Sequence, residues 1–394
     1  MDMDTDMETD METKFVTFGC WNEDCCDKDT PVVRVLNKIK NEDSDANFFI
    51  VTGDNYYPKK NKKSGKKVTD KTQLSTSFRL LRKKLLRTED NELFLLLGNH
   101  DVEQTIQEGE EEANCYVTKR EIIFAETSSK KKKINFPKEL VMFKKIGEHT
   151  LIIMIDTNIY SGEDLTCYEW IERREDEQME KFREKLQDLQ QQKINKMLEG
   201  KEGKYKNIFV CGHNPLIGFK NQKVKDENGE KKVKGGIDTC DEKLYELLFS
   251  LQEHGESFYY LCADIHNYQK GTVTITKESE SMTINQHIVG IGGTELDDDY
   301  NRRFNSEYNK KYNQSEVETV NASIQIGQYK IKYTIQEHFS EHGYLVVIIG
   351  IDHTVMFEIK KIGTITAGKS KRRSRTRIRK SRRRRTRRRS RRTY

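Results

Sequence analysis

The sequence has few of the residues that mark secreted, membrane-spanning or disulfide-stabilised proteins. It contains 4 prolines, 2 tryptophans and 8 cysteines in 394 residues, too few cysteines for a disulfide framework in a chain this long. The longest apolar stretch, YLVVIIGI at 344–351, is far shorter than the roughly 18 residues that cross a bilayer. The start, MDMDTDMETDMET, is acidic, whereas a secretory signal is basic and then apolar. We therefore expect an intracellular protein with reduced thiols, no signal peptide, no transmembrane segment and no membrane partner.

Positive charge is scarce over most of the chain and concentrated at its end. Residues 369–394 carry 17 Lys and Arg and no acid, while residues 1–13 carry six acids and no base. Removing those 17 charges from the net +6 leaves residues 1–368 with a net charge of −11. We expect a disordered acidic leader at 1–13 and a disordered Arg/Ser-rich tail at 365–394. The tail resembles the arms of nucleic-acid-condensing proteins, including virion proteins, so nucleic acid or another polyanion is its expected partner. A nuclear-import signal is the alternative.

Between these ends, residues 14–364 alternate apolar runs with helical patterns, which predicts one α/β domain with a partly parallel sheet. Helices are expected at 31–40 and 73–86, and a longer one after Tyr168. After Gly271 the pattern becomes β-rich and typical of antiparallel strands. The lysine-rich segments 58–72, 128–138 and 219–236 are expected to be solvated loops. The predicted strands are KFVTFG (14–19), FFIVTG (48–53), LFLLLG (93–98), LIIMID (151–156), NIFVCG (207–212) and SFYYLC (257–262).

Five of these strands lead directly into groups that can bind a metal ion. In open α/β sheets, ligands sit at the carboxyl ends of the strands. Any one of the matches is more often a plain turn, because Asn and Asp favour turns. The repetition favours a site. The residues concerned are Cys20 and Asn22, Asp54 and Tyr57, Asn99 and His100, His213 and Asn214, and Asp264 and His266.

Four blocks, GDNYY, LLLGNHD, CGHNP and ADIHN, resemble in this order the signature blocks of calcineurin-like metallophosphoesterases. The Gly-Asp-Asn-x-Tyr form resembles the purple acid phosphatase branch. The resemblance implies a four-layer αββα sandwich with mixed sheets and a site for two metal ions. Asp54 would bridge the ions, and His100 would lie beside the phosphate to stabilise charge or protonate the leaving oxygen. The other implied ligands are Tyr57 and His266 for one ion, and Asn99 and His213 for the other.

The sequence departs from the family pattern at two ligand positions. Cys20 stands where the family has Asp, and Asp264 stands where it has His. In one interpretation the site has decayed and the fold is a binding scaffold; in the other the ligands were exchanged, since a thiolate and a carboxylate both bind metals. Asp24 or Asp27 is a further candidate for the missing carboxylate. As plain structure, Cys20 is a small buried thiol and Asp264 a turn residue.

The leading functional hypothesis is a metal-dependent phosphoesterase that hydrolyses phosphate monoesters at a dinuclear site containing Fe, Zn or Mn. The runner-up is a catalytically weakened relative that binds nucleic acid through residues 369–394. A third possibility is a structural protein that keeps the fold without metal. The identity of the ester, the metals and the oligomeric state stay open.

Overall fold

The structure is a computed structural model that describes residues 12–23, 25, 27, 29–60, 66–88, 90–107, 112–128, 133–136, 138–171, 173, 177–225, 231–297 and 320–363. The chain divides into two units, Met1–Ile362 and Gly363–Tyr394. Residues 1–11 of the predicted leader and the whole predicted tail at 365–394 lie outside the described residues, while Thr13 of the leader already belongs to a strand. The predictions of disorder and of polyanion binding for these segments therefore stay predictions, as do the domain boundaries.

The described residues form twenty strands and five α-helices. The strands are β1 Thr13–Phe18, β2 Phe48–Val51, β3 Lys59–Lys60, β4 Lys67–Thr69, β5 Glu92–Leu95, β6 Thr105–Gln107, β7 Ala113–Asn114, β8 Lys133–Asn135, β9 Val141–Ile146, β10 Thr150–Ile155, β11 Tyr205–Cys211, β12 Ile217–Lys225, β13 Lys231–Thr239, β14 Gly255–Cys262, β15 Tyr268–Lys277, β16 Glu280–Val289, β17 Val320–Ile326, β18 Tyr329–Phe339, β19 Gly343–Ile349 and β20 Val355–Lys361. The helices are α1 Pro31–Glu42, α2 Lys71–Leu85, α3 Tyr116–Ser128, α4 Met179–Leu198 and α5 Glu242–Ser250.

Two mixed sheets form the centre of the molecule. The first has six strands in the order β20-β19-β1-β2-β5-β8, and the second has eight in the order β17-β18-β15-β16-β14-β11-β10-β9. In the first sheet β1, β2, β5 and β8 are parallel neighbours, and in the second β10, β11, β14 and β16 are. The parallel strands of each sheet therefore end at a common edge.

The sheets pack face to face through aromatic side chains. The rings of Phe15 and Phe209, one from each sheet, meet edge-on with centroids 5.8 Å apart. The rings of Tyr259 and Phe357, again one from each sheet, are tilted against each other with centroids 5.4 Å apart. Helices α1 and α2 pack together, α1 also contacts β19 of the first sheet, and α4 contacts β9 of the second. Helices, sheet, sheet and helices make four layers, and the predicted αββα sandwich is confirmed.

Local signals explain the helices that the sequence predicted correctly. Pro31 stands at the first turn of α1, where its missing N–H leaves no hydrogen bond unmade. The carboxylate of Asp70 caps α2 by accepting the backbone N–H groups of Thr72 and Gln73. Each helix buries one apolar face against its sheet.

The longer helix predicted after Tyr168 is α4, which begins at Met179. One local prediction is wrong. The lysine-rich segments contain strands, most clearly the hairpin of β12 and β13. A hairpin is held by backbone hydrogen bonds between its strands, so its lysine content does not prevent it.

The expectation of reduced cysteines is wrong for Cys25, Cys115 and Cys167, which are disulfide-bonded. Cys115, just before α3, forms a disulfide with Cys167. The two residues are 52 positions apart, and only the packing of the intervening segments brings them together. The free cysteines among the described residues are all buried: Cys20, Cys211, Cys240 and Cys262. None of the helices in the described ranges is both long and apolar enough to span a membrane.

Candidate metal centre

Strands of both sheets deliver candidate ligands to one edge of the sandwich. In the first sheet, β1 leads to Cys20, β2 to Asp54 and β5 to Asn99. In the second sheet, β11 leads to His213 and β14 to Asp264. Parallel strands place their carboxyl ends together. These five residues therefore converge although they are distant in sequence.

The backbone at this edge is strained. Cys20, Asp54 and Asp264 have φ angles of 51°, 54° and 56°, and they account for three of the six positive φ values of non-glycine residues in the described part of the chain. Such backbone conformations are sparsely populated and cluster at functional sites. The loop that carries Asp54 comes very close to the backbone at Gly98. Only glycine fits there, because a Cβ at position 98 would lie 2.2 Å from the Asp54 backbone nitrogen.

The Asp54 carboxylate is the centre of the cluster and is 1 % exposed. Its Oδ2 accepts hydrogen bonds from the Tyr57 hydroxyl at 2.7 Å and from Cys20 Sγ at 3.7 Å. Its Oδ1 lies 3.3 Å from His213 Nε2 and accepts the His100 backbone N–H at 3.2 Å. The two oxygens therefore face two different groups of donor atoms.

The remaining predicted ligands complete these two groups. On the Oδ1 side, Asn99 Oδ1 lies 3.3 Å and Asp264 Oδ1 lies 3.8 Å from His213 Nε2. On the Oδ2 side, His266 Nε2 lies 3.2 Å from the Tyr57 hydroxyl oxygen. The structure thus brings together the ligands that the resemblance implied and the two residues at the exchanged positions, Cys20 and Asp264.

Hydrogen bonds to carbonyl groups orient both histidines. His213 Nδ1 lies 2.7 Å from the Thr52 carbonyl oxygen, and His266 Nδ1 lies 3.0 Å from that of Glu295. Each Nδ1–H donates to its carbonyl, so in a neutral ring Nε2 points inward with a lone pair. His213 Nε2 therefore faces the Asp54 carboxylate, with 3.3 Å between Nε2 and Oδ1, and His266 Nε2 faces the Tyr57 hydroxyl.

The donor set fits a metal ion. Cys20, Asp54 and His213 offer ligand atoms that all lie within 4.8 Å of one another. Burial and the nearby Asp54 carboxylate raise the pKa of the Cys20 thiol, so the thiolate requires a neighbouring cation. The alternative ligands are not supported: Asp27 is exposed, and Asp24 lies outside the described residues.

His100 lies beside the cluster and is positively charged near neutral pH. Its Nδ1 lies 2.9 Å from Glu103 Oε1, and its ring packs against Tyr57 with centroids 4.6 Å apart. Burial lowers the His100 pKa, but the Asp54 and Glu103 carboxylates outweigh this and raise the pKa to about 9. An imidazolium is thus held next to the proposed ligands, where the resemblance implied.

Asp101 connects two ligand loops, a role that the sequence analysis missed. Its Oδ1 accepts the backbone N–H groups of Asn55 and Tyr56 at 2.8 and 3.1 Å, and its Oδ2 accepts that of Gly98 at 2.8 Å. The fully buried Glu121 lies next to it, and burial raises the pKa of both carboxyl groups. The N–H donors around Asp101 stabilise its ionised form. We therefore assign the ionised form to Asp101 and the protonated form to Glu121. The sequence signal was the Asp that ends LLLGNHD.

Lys220 on β12 was also missed, because it stands in a segment expected to be a loop. Its Nζ lies 2.7 Å from Asp264 Oδ2 and 3.4 Å from Asp238 Oδ2. Burial raises the Asp264 pKa, but Lys220 and His213 outweigh this and lower it to about 2. Asp264 is therefore an ionised carboxylate shared between the His213 group and an ammonium.

A match to a known protein family agrees with this description. The family model for calcineurin-like phosphoesterases matches residues 13–268. None of the curated proteins compared with this chain matches it. Among solved structures, PhoD has a TM-score of 0.47 at 10 % identity, with 91 % of this chain and 73 % of that chain covered. GAP50, the anchor in the inner membrane complex of Plasmodium, has a TM-score of 0.42 at 13 % identity, with coverages of 89 % and 85 %. The family match covers well over half of the chain, which therefore belongs to the calcineurin-like phosphoesterase family.

Proposed function

We propose that this protein hydrolyses phosphate monoesters at a site for two metal ions that share Asp54. One observation carries the proposal: the two oxygens of a buried carboxylate face two separate groups of atoms that can bind a metal ion. His213, Asn99 and Asp264 lie near Oδ1. Tyr57 and Cys20 lie near Oδ2, with His266 next to Tyr57. A carboxylate between two ligand sets is suited to bridging two cations.

The bound ions would polarise the phosphoryl oxygens and lower the pKa of a bound water, which supplies hydroxide near neutral pH. The chain itself supplies orientation and a proton. His100, held as an imidazolium by Glu103, is placed to stabilise charge on the phosphate or to protonate the leaving oxygen. A monoester dianion carries more negative charge than a diester, and the cationic His100 favours it. The purple acid phosphatase branch remains a prediction based on the Gly-Asp-Asn-x-Tyr block.

The test combines metal analysis with hydrolysis of two aryl phosphates, one a monoester and one a diester. We expect bound metal, faster turnover of the monoester, and loss of both metal and turnover in Asp54→Ala and His213→Ala. His149→Ala is the matched control, since His149 precedes β10 at the amino end of the strand and contacts His353. Preferred cleavage of the diester would contradict the substrate class. Bound metal without turnover would favour a binding scaffold.

A second candidate function is polyanion binding through residues 369–394. The 17 basic residues without an acid favour salt-dependent, sequence-independent binding to nucleic acid. Phosphorylation of its Ser, Thr and Tyr residues would weaken this binding. This function is independent of the metal centre, so removal of the tail separates the two.

A further inference from the structure

Lys220 forms an ion pair inside the proposed ligand set. Its side chain is 31 % exposed, while that of Asp264 is 6 % exposed. Asp264 Oδ2 lies 2.7 Å from the ammonium, and Asp264 Oδ1 lies 3.8 Å from His213 Nε2. One oxygen of the Asp264 carboxylate thus contacts the ammonium of Lys220, and the other lies near the His213 ring.

This arrangement makes the two sides of Asp54 electrostatically different. A positive charge a few ångströms from a ligand carboxylate opposes a second cation there, strongly so in a site screened from water. On the other side of Asp54, the His100 ring packs against Tyr57 and Lys220 acts on Cys20 at longer range, but among the described residues only the Asp264 side has a lysine in direct ion-pair contact with a proposed ligand. The ligand exchange at position 264 and the nearby lysine act on the same side.

Asp238 offers the ammonium a second partner. It lies on β13, and its Oδ2 is 3.4 Å from Lys220 Nζ. The hairpin places the two residues near each other, since Lys220 pairs with Gly236 and Asp238 pairs with Gly218 across the strands. A lysine that leaves Asp264 therefore keeps a carboxylate within reach.

We propose that Lys220 makes the two metal positions unequal by acting as a built-in counter-ion of Asp264, which a metal ion must displace toward Asp238. The position that uses Asn99, His213 and Asp264 then binds its ion more weakly than the position that uses Cys20, Tyr57 and His266. This inference rests on the proposed two-cation site. Lys220 is a positioning residue, because it acts through Asp264.

Two substitutions predict opposite changes in metal affinity. Lys220→Met keeps the length of the side chain and removes its charge, so Asp264 is released and the weaker class of Zn²⁺ sites tightens at least ten-fold. Asp238→Asn removes the negative charge of the second partner, so the ammonium of Lys220 stays on Asp264 and the weaker class loosens. The stronger class changes less than three-fold in both variants. The measurement is calorimetric titration of the metal-depleted full chain with Zn²⁺, together with a count of bound zinc.

Two controls separate charge from folding. Lys220→Arg keeps the charge, so we expect wild-type affinities. Lys206, at the start of β11, is an exposed lysine that pairs with Glu256. We expect Lys206→Met to leave the affinities of both classes of zinc site unchanged. Thermal unfolding of each metal-depleted variant tests whether it is folded.

The outcomes distinguish this inference from the proposed function. Unchanged or weaker zinc binding in a folded Lys220→Met variant overturns the inference and leaves the proposed function standing. A wild-type chain that binds neither zinc, manganese nor iron overturns the proposed function itself. One zinc in the wild type and two in Lys220→Met supports the inference, because the ammonium then excludes the second ion entirely at the concentrations tested.

Discussion

Replacing Asp101 by Asn tests whether one buried carboxylate holds the ligand loops together. Asp101 is 0 % exposed. Its Oδ1 accepts two backbone N–H groups, from Asn55 and Tyr56. Its Oδ2 accepts the backbone N–H of Gly98 at 2.8 Å and the Asn55 side-chain amide at 3.0 Å. These bonds connect the loop after β2, which carries Asp54, to the turn after β5.

The magnitude follows from the hydrogen bonds that Asn cannot make. An amide oxygen at the Oδ1 position keeps two bonds, but the amide NH₂ at the Oδ2 position faces two donors. A buried donor without an acceptor costs about 1 to 3 kcal/mol, so the two donors together predict a loss of about 2 to 6 kcal/mol in the free energy of unfolding. This is a large fraction of the roughly 5 to 15 kcal/mol of a typical protein.

The assay is urea-induced unfolding of Asp101→Asn, with Asp164→Asn as the matched control. Asp164 also accepts a backbone N–H, from Thr166 at 3.0 Å, but in an exposed turn, so the control should change the free energy of unfolding by less than about 0.5 kcal/mol. Metal affinity should fall in Asp101→Asn alone, because Asp54 and Gly98 are no longer held together. Equal, small effects in both variants would refute the reasoning.

Three further predictions concern the carboxyl pair, the exchanged ligands and the tail. Burial and the nearby Asp101 raise the pKa of Glu121, so the folded protein keeps a proton on Glu121 that the unfolded chain loses above a pH of about 4.5. The free energy of unfolding of the wild type should therefore fall as the pH rises above that value. Urea unfolding at pH 5 and pH 8 should show a weaker pH dependence in Glu121→Gln, and an unchanged dependence would contradict the assignment. In Cys20→Asp combined with Asp264→His, we expect turnover of an aryl phosphate comparable to that of the natural chain; turnover confined to the double variant would make the natural chain an inactive relative. Deletion of residues 364–394 should abolish salt-sensitive retention on DNA and leave phosphatase activity intact, and persistent retention would show that another surface binds.

The sequence was sufficient for the site blocks because each block is a local feature. An apolar run such as FFIVTG both forms a buried strand and fixes where that strand ends. The residues that follow, here Asp54 and Tyr57, must then lie at the sheet edge. That rule applied to successive strands predicts a partly parallel α/β sheet, while the four-layer sandwich and the convergence of Asp54, Asn99, His213 and His266 came from the family resemblance.

The sequence was insufficient where side chains of unrelated segments meet. Asp264 looked like a turn residue or an exchanged ligand, and nothing near it in the sequence indicates its partner. Lys220 is 44 positions away in a lysine-rich segment where composition favours a loop. The disulfide of Cys115 and Cys167 likewise depends on how two turns pack.

The sequence by itself determined the apolar strands that lead to the site, the helices α1 and α2, and the residues that stand at those strand ends, because these depend on short-range patterns of burial and backbone conformation. The tertiary structure alone decided the charge of the site: the ammonium of Lys220 on Asp264, the N–H groups around Asp101, and the imidazolium of His100 beside Asp54. Electrostatic interactions act through space, and distances through space are set by the packing of the two sheets rather than by spacing along the chain.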